Sequence, residues 1–182
     1  MKTLCTIAIF LVSTVYAQTD SAKTATSVRA MNPQAFLKSA SQIDQAEIQL
    51  GQLAQTNASS NVVKQDGQRM VTDHTKLEGR VKSAAATMNV TLPTGVSAQD
   101  KNLYDSLSAK TGASFDKPYV LAMISGHRQA IAEFQREAEN GASANVKMLA
   151  QDALPTLKEH LQIWESAARR LGYSTSTTGG ER

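Results

Sequence analysis

The chain has 182 residues, with 19 Lys and Arg against 16 Asp and Glu, so its formal net charge is only +3. A charge this small, dispersed along the whole chain, provides no basic patch of the kind that binds nucleic acid. Nucleic acid is therefore excluded as an expected partner. The length suits a single domain with one hydrophobic core.

The first 17 residues have the pattern of a secretory signal peptide. Lys2 gives a positive start, an apolar run extends over Leu4 to Val12, and small residues precede a cleavage point before Gln18. A run of this length is far short of the ~20 apolar residues that span a bilayer. Cleavage would also remove Cys5, the only cysteine, and with it any disulfide or thiolate ligand. We expect an exported protein, periplasmic or extracellular, with no transmembrane segment in the mature chain.

The mature chain is predicted to hold one helical domain between two unstructured ends. Residues 18–31 are polar and aperiodic, which indicates a flexible leader, and residues 173–182, rich in Ser, Thr and Gly, indicate a disordered tail. Residues 32–172 between them carry four long stretches whose apolar residues recur at steps of three and four, as on one face of a helix.

The boundaries of the four helices follow from cap and turn residues. Asn32 followed by Pro33 predicts the start of the first helix, because Asn caps well and Pro suits the first helical position. A turn at residues 57–60 leads to the second helix, which runs to about Met88. Asp116 is predicted to cap the third helix and Ser143 the fourth, with Gly172 as the final stop.

The connection between the second and third long helices is the longest, and it contains a short amphipathic helix at about residues 100–109. Such a connection is long enough to cross the bundle, so the second and third helices would run parallel. This order is typical of a ferritin-like four-helix bundle, with simple up-down-up-down connectivity as the alternative.

Each long helix carries one metal-capable side chain near the middle of its apolar face. These residues, which include every histidine of the chain, are Glu47, His74, His127 and His160. At ~1.5 Å rise per residue they lie at comparable depths and can share one layer of the bundle. One carboxylate with three imidazoles is a complete ligand set for a divalent transition metal, with imidazole favouring Zn, Cu and Fe.

Three further residues are auxiliary candidates. Met70 and Met123 each precede a histidine by four residues, so in the crossover topology both thioethers fall on one side of the layer, where they would suit Cu(I). Plain core packing is the alternative for both methionines. Glu78, one turn after His74, would orient an imidazole or join the ligands, or else remain a surface residue. Asp73 and Glu159 project off the apolar face and are expected to be solvated.

Two other interpretations of the layer stay open. In the first, the protein is a non-catalytic module that binds an unknown envelope protein, and the buried layer only fixes helix register. In the second, Glu47 and His74 form an acid–base pair in an enzyme, which would need a substrate-sized pocket at the layer. No histidine follows a glutamate by three residues, so the di-iron pattern is absent, and no catalytic motif appears. Catalysis is therefore not the expected activity.

Several segments, taken in order, resemble the bacterial exported family called domain of unknown function 4142. They are Leu50-Gly51-Gln52-Leu53-Ala54, Met70-Val71-Thr72-Asp73-His74, Phe115-Asp116-Lys117-Pro118-Tyr119-Val120 and Leu154-Pro155-Thr156-Leu157-Lys158-Glu159-His160. The resemblance covers roughly residues 33–171 and implies a ferritin-like bundle and export. Members often carry the label predicted outer membrane protein. The biochemical role of that family is unsettled, so the resemblance supplies no reaction.

Overall fold

The computed structural model describes residues 31–174, which contain five α-helices and no β-strand. The predicted signal peptide and nearly all of the predicted leader and tail lie outside the described residues. The helices are α1 (Pro33–Asn57), α2 (Asn61–Thr87), α3 (Ala98–Ser108), α4 (Ala113–Asn140) and α5 (Ala144–Arg170). Over this part of the chain, no helix is both long and apolar enough to cross a membrane.

The predictions that Asn32 caps the first helix and that Gly172 ends the last one are confirmed. The Asn32 side chain accepts hydrogen bonds from the backbone N–H groups of Gln34 and Ala35, at 2.9 and 3.4 Å, and so caps α1. At the other end, Gly172 has φ +71°, a left-handed conformation that glycine adopts without strain. The Tyr173 N–H donates to the Ala168 carbonyl at 2.8 Å, which closes the last turn of α5.

The predicted cap of the third long helix is wrong. The helix α4 begins at Ala113, after Gly112, so Asp116 lies inside its first turn. The Asp116 carboxylate instead accepts from the Ser59 N–H, the Ser59 hydroxyl and the Ser60 N–H, at 3.1, 2.6 and 3.0 Å. It therefore ties the turn before α2 to the first turn of α4, while the Ser60 side chain makes no capping bond of its own. Ser143 does precede α5, but its side chain makes no capping bond.

The core has two parts, and their composition gives the direction of each helix. The upper cluster contains Leu50 of α1, Met70 of α2, Met123 of α4 and Trp164 of α5. The lower cluster contains the other half of every long helix, with the members Leu37, Leu77, Phe134 and Leu157 among them. Since α2 and α4 both enter the upper cluster with their N-terminal halves, they run parallel. The connection that contains α3 therefore crosses the bundle, as predicted.

Helices α1 and α2 form a hairpin whose axes approach closely at two glycines. A Cβ atom added to Gly51 would lie 2.6 Å from the Gly67 carbonyl oxygen and 2.8 Å from the Val71 side chain. Contacts under 3.0 Å are far inside van der Waals distance, so the glycines allow a separation that a side chain would prevent. This close approach brings the polar residues of α1 against the histidine of α2.

Candidate metal centre

All three histidines meet in one buried layer between the upper and lower clusters. Each lies one turn from a member of either cluster, and their exposed fractions are 0% for His74, 1% for His127 and 0% for His160. The ring centroids are 5.2 to 5.8 Å apart. One ring nitrogen from each histidine lies within 4.8 Å of the others. The structure thus brings three of the four predicted ligands together.

The tautomer of His127 is fixed by its own helix. Its Nδ1 atom lies 2.9 Å from the backbone carbonyl oxygen of Met123. A carbonyl can only accept, so Nδ1 carries the hydrogen and donates it. In the neutral imidazole the Nε2 atom then has a free lone pair, which is the form that binds a metal.

His160 is held by a residue that the sequence pattern assigned to solvent. Its Nε2 atom lies 3.2 Å from Asp73 Oδ2, and the Asp73 side chain is only 22% exposed. Burial alone would raise the pKa of Asp73, but hydrogen bonds from His160 and Lys76 outweigh burial and lower this pKa. Asp73 is therefore an ionised acceptor, and the expectation that it is solvated is wrong. Glu159, by contrast, is 54% exposed, as expected.

His74 pairs with Asp44, which sequence reasoning missed. The Nδ1 atom of His74 lies 2.7 Å from Asp44 Oδ1, and both side chains are buried. Burial, and then the negative charge of Glu78, raise the pKa of Asp44 well above its usual value. When Nδ1 donates to the carboxylate, Nε2 is left free, as in His127. The available signal was that Asp44 continues the row of Leu37 and Ser41, beside the main apolar seam of α1.

Burial keeps the imidazoles of His74 and His160 neutral. It lowers the pKa of His74 to about 4. It lowers the pKa of His160 to about 4 as well, aided by repulsion from the other two rings, while Asp73 acts in the opposite direction. Neutral imidazole is the state that a metal ion requires.

The three remaining nitrogens are His74 Nε2, His127 Nε2 and His160 Nδ1. All are buried, and none has a hydrogen-bond partner among residues 31–174. Nitrogens that bind one zinc ion at ~2.0–2.1 Å in tetrahedral geometry lie about 3.4 Å apart. One nitrogen of each ring lies within 4.8 Å of the others, so a zinc ion would require the ligating nitrogens to approach one another by about 1.4 Å at most. The donor set fits a transition-metal ion.

Glu47 does not join this cluster. Its Oε1 atom lies 3.6 Å from Nδ1 of His127, on the side of the ring away from the free nitrogen. Glu47 is 6% exposed and lines a cleft between α1 and α4. It approaches His127, whereas the acid–base interpretation would pair it with His74.

The auxiliary candidates lie around the layer. Glu78 is buried, but its Oε1 atom accepts from the Ser41 hydroxyl at 3.0 Å and lies 3.3 Å from Lys82 Nζ. Glu78 makes no hydrogen bond to an imidazole among the described residues, and its negative charge helps to raise the pKa of Asp44. Met70 and Met123 are both fully buried in the upper cluster, on the same side of the histidine layer.

The fold and this layer together define a class: an all-helical bundle with a buried histidine triad. The chain belongs to the family described as domain of unknown function (DUF4142), whose model matches residues 17–166. No curated protein matches the chain.

Two solved structures share the fold. A DUF305 protein from Streptomyces coelicolor superposes with a TM-score of 0.68 at 11% identity, covering 81% of this chain and 98% of its own. A DUF305 fragment from Deinococcus radiodurans gives 0.67 at 12% identity, covering 78% of this chain and 99% of its own. At these identities the likeness concerns the fold alone.

Proposed function

We propose that this protein is an exported, non-enzymatic metal-binding bundle that holds a transition-metal ion at His74, His127 and His160. The observation that carries the proposal is the buried triad, in which one nitrogen of each ring lies within 4.8 Å of the others and one nitrogen of each ring has no hydrogen-bond partner among the described residues. The other nitrogen of each ring is hydrogen-bonded to an acceptor. These acceptors are Asp44 for His74, the Met123 carbonyl for His127 and Asp73 for His160. Acceptors of this kind, at the nitrogen remote from the metal, orient ligating histidines in proteins.

The interpretation of the layer as a register-fixing network fits this geometry less well. A structural network stabilises the core only when its buried polar groups are paired. In the proposed tautomers the hydrogens of all three rings point outward, so the inward nitrogens cannot donate to each other. Three lone pairs facing one another inside a core have no donor among the described side chains, and a cation between them would supply a favourable partner.

The ligand set also limits which metal ions the site can bind. Three neutral imidazoles suit a divalent transition metal or Cu(I), and they leave a fourth coordination position open, as in zinc sites of three histidines. Met70 and Met123, one turn away on the upper side, favour Cu(I) if a thioether fills that position. An open position suits an ion that is exchanged, so we assign the protein to metal storage, delivery or protection against metal stress.

Two finer assignments accompany the proposal. The single crossover between parallel α2 and α4 supports a ferritin-like bundle. The N-terminal pattern supports export after cleavage before Gln18, which N-terminal sequencing of the native protein tests. The Streptomyces coelicolor DUF305 protein is itself described as a candidate secreted protein. Periplasm is the compartment we propose if the source has two membranes.

Thermal unfolding with and without zinc tests the proposal. An ion that binds only the folded state stabilises it by about 2.7 kcal/mol at a hundredfold excess over Kd, so zinc should raise the melting temperature. The His127→Gln variant should lose that rise, because glutamine offers no equivalent nitrogen. The control Glu159→Gln alters an exposed residue outside the layer and should keep the rise. No shift in the unaltered protein, with zinc or Cu(I), would refute metal binding.

A further inference from the structure

A cleft of about 280 Å³ lies between α1 and α4, and its lining residues include Glu47 and Gly126, which lie next to His127. Its walls are made of small residues, among them Ala46, Ala122 and Gly126, which leave the space that larger side chains would fill. The first turn of α3 borders it at Asp100. Organic ligands occupy pockets of ~300–1,000 Å³, so this cleft suits a hydrated ion better.

The cleft has a negative character. Glu47, Asp100 and Glu133 line it, and its described lining residues include no Lys, Arg or His. A cleft lined by one sign of charge attracts ions of the opposite sign and raises their local concentration. The α2–α5 face differs, since Arg69 and Lys76 lie over Asp73 there, at 3.4 Å each. A cation therefore meets carboxylates without a neighbouring basic residue in the lining of the α1–α4 cleft.

Glu47 connects the cleft to the histidines. It is more than nine-tenths buried, and its Oε2 atom has no hydrogen-bond partner within the described chain. Its other oxygen, Oε1, lies 3.6 Å from His127 Nδ1. Gly126, one residue before His127, faces this carboxylate, since a Cβ added there would lie 3.7 Å from Oε1. A buried carboxylate with one unpaired oxygen, on a side chain that lines the cleft beside His127, is suited to bind a cation in transit.

We propose that the α1–α4 cleft is the entry route of the metal ion and that Glu47 is its transfer ligand. In this route a carboxylate oxygen of Glu47 would replace one water of the hydrated divalent ion. The His127 ring, whose free Nε2 atom faces away from Glu47, would then turn so that imidazole nitrogens replace the carboxylate and further waters. The exchange involves no redox change, and the released waters leave through the cleft. This inference rests on the proposed function, because it concerns how an ion reaches the triad.

Stopped-flow measurement of Co²⁺ binding tests the route, because the absorption of Co²⁺ changes when nitrogen ligands replace water. Gly126→Leu fills the cleft without altering a ligand, so it should slow association and dissociation equally, by about tenfold, at unchanged Kd. The matched control is Gly79→Leu on α2, where an added Cβ meets nothing within 4 Å. It should bind Co²⁺ at the rate of the unaltered protein. Glu47→Gln, which keeps the shape of the side chain, should slow association by about fivefold.

The outcomes separate the two proposals. If Co²⁺ reaches nitrogen ligands at the same rate in Gly126→Leu, Glu47→Gln and the unaltered protein, the entry route is wrong although the metal site stands. If the unaltered protein shows no Co²⁺ spectrum with nitrogen ligands, the metal site and its route both fall. Should Gly126→Leu fail to fold, as circular dichroism would reveal, the rate of Glu47→Gln alone decides the question.

Discussion

At the scale of single residues, the tautomer of each histidine depends on the acceptor of its outer nitrogen, the ring nitrogen that faces away from the other two histidines. Three different acceptors are used: a buried carboxylate from Asp44, a half-buried carboxylate from Asp73 and the backbone carbonyl of Met123. Because the outer nitrogen donates, the inner nitrogen keeps its lone pair. Asp44 and Asp73 thereby matter to a bound ion as much as the choice of histidine does.

The lowered pKa values of His74 and His160 predict a pH-dependent stability of the metal-free protein. The unfolded histidines titrate near pH 6.5 and the folded ones at about 4, so the unfolded state binds more protons between these values. Stability is therefore lost as pH falls through this window, by on the order of 3 kcal/mol for each histidine. The raised pKa of Asp44 opposes part of this loss, because there the folded state binds the extra proton.

Denaturant unfolding of the metal-free protein across this pH range, compared with His160→Leu, measures the effect. The unaltered protein should lose stability more steeply than the variant as pH falls, because the variant lacks one of the two groups that resist protonation. Parallel curves for the two proteins would mean that His160 titrates normally when folded. His160 would then be protonated near pH 6 and would repel a cation.

The sequence predicted the three histidines but not the residues that orient them. A histidine at the midpoint of the apolar face of a helix can be recognised in the sequence, because the residues of that face recur periodically along one helix. Asp44 lies beside the main apolar stripe of α1, and it is buried where α1 packs against His74 of α2. Asp73 neighbours His74 in sequence, yet it serves His160 on another helix. Pairings between helices depend on helix rotation and distance, which a periodic pattern within one helix does not determine.

At the scale of helices, the α1–α2 contact should be sensitive to one methyl group. Gly51→Ala would place its Cβ 2.6 Å from the Gly67 carbonyl oxygen, and backbone atoms cannot move away without separating the helices. We expect a loss of about 1–3 kcal/mol in the free energy of unfolding, although alanine is the better helix former. Denaturant unfolding at constant pH measures it.

Gly79→Ala is the matched control for this substitution. It lies in the same hairpin, on α2, and its added Cβ meets nothing within 4 Å. It should stabilise the protein by roughly 0.5–1 kcal/mol through helix propensity alone. If Gly51→Ala were equally stabilising, the close approach of α1 and α2 at Gly51 and Gly67 would be disproved.

Helix boundaries were predicted well where a single residue acts within its own helix. Asn32 caps α1 and Gly172 ends α5, and both interactions are local in sequence. Asp116 was assigned to its own helix for the same reason, but its carboxylate bonds Ser59 and Ser60, more than fifty residues earlier in the chain. A capping residue identifies a helix end nearby in space, and sequence distance does not reveal which helix receives the bond.

At the scale of the whole molecule, the topology followed from loop lengths. The long connection through α3 predicted the crossover that makes α2 and α4 parallel. The position of Glu47 did not follow, because a shared depth along the bundle does not fix the direction around it. Glu47 faces the outer cleft, whereas the histidines face the axis of the bundle.

X-ray absorption at the zinc edge of the zinc-loaded protein tests the central claim most directly, because it reports the ligands of the bound ion. The account predicts one ion per chain with three imidazole nitrogens at ~2.0–2.1 Å, seen through the multiple scattering of the rings. The His127→Gln variant should lose one imidazole from that shell. A shell of oxygen ligands alone, or an imidazole number that His127→Gln leaves unchanged, would contradict the assignment of the triad as the metal centre.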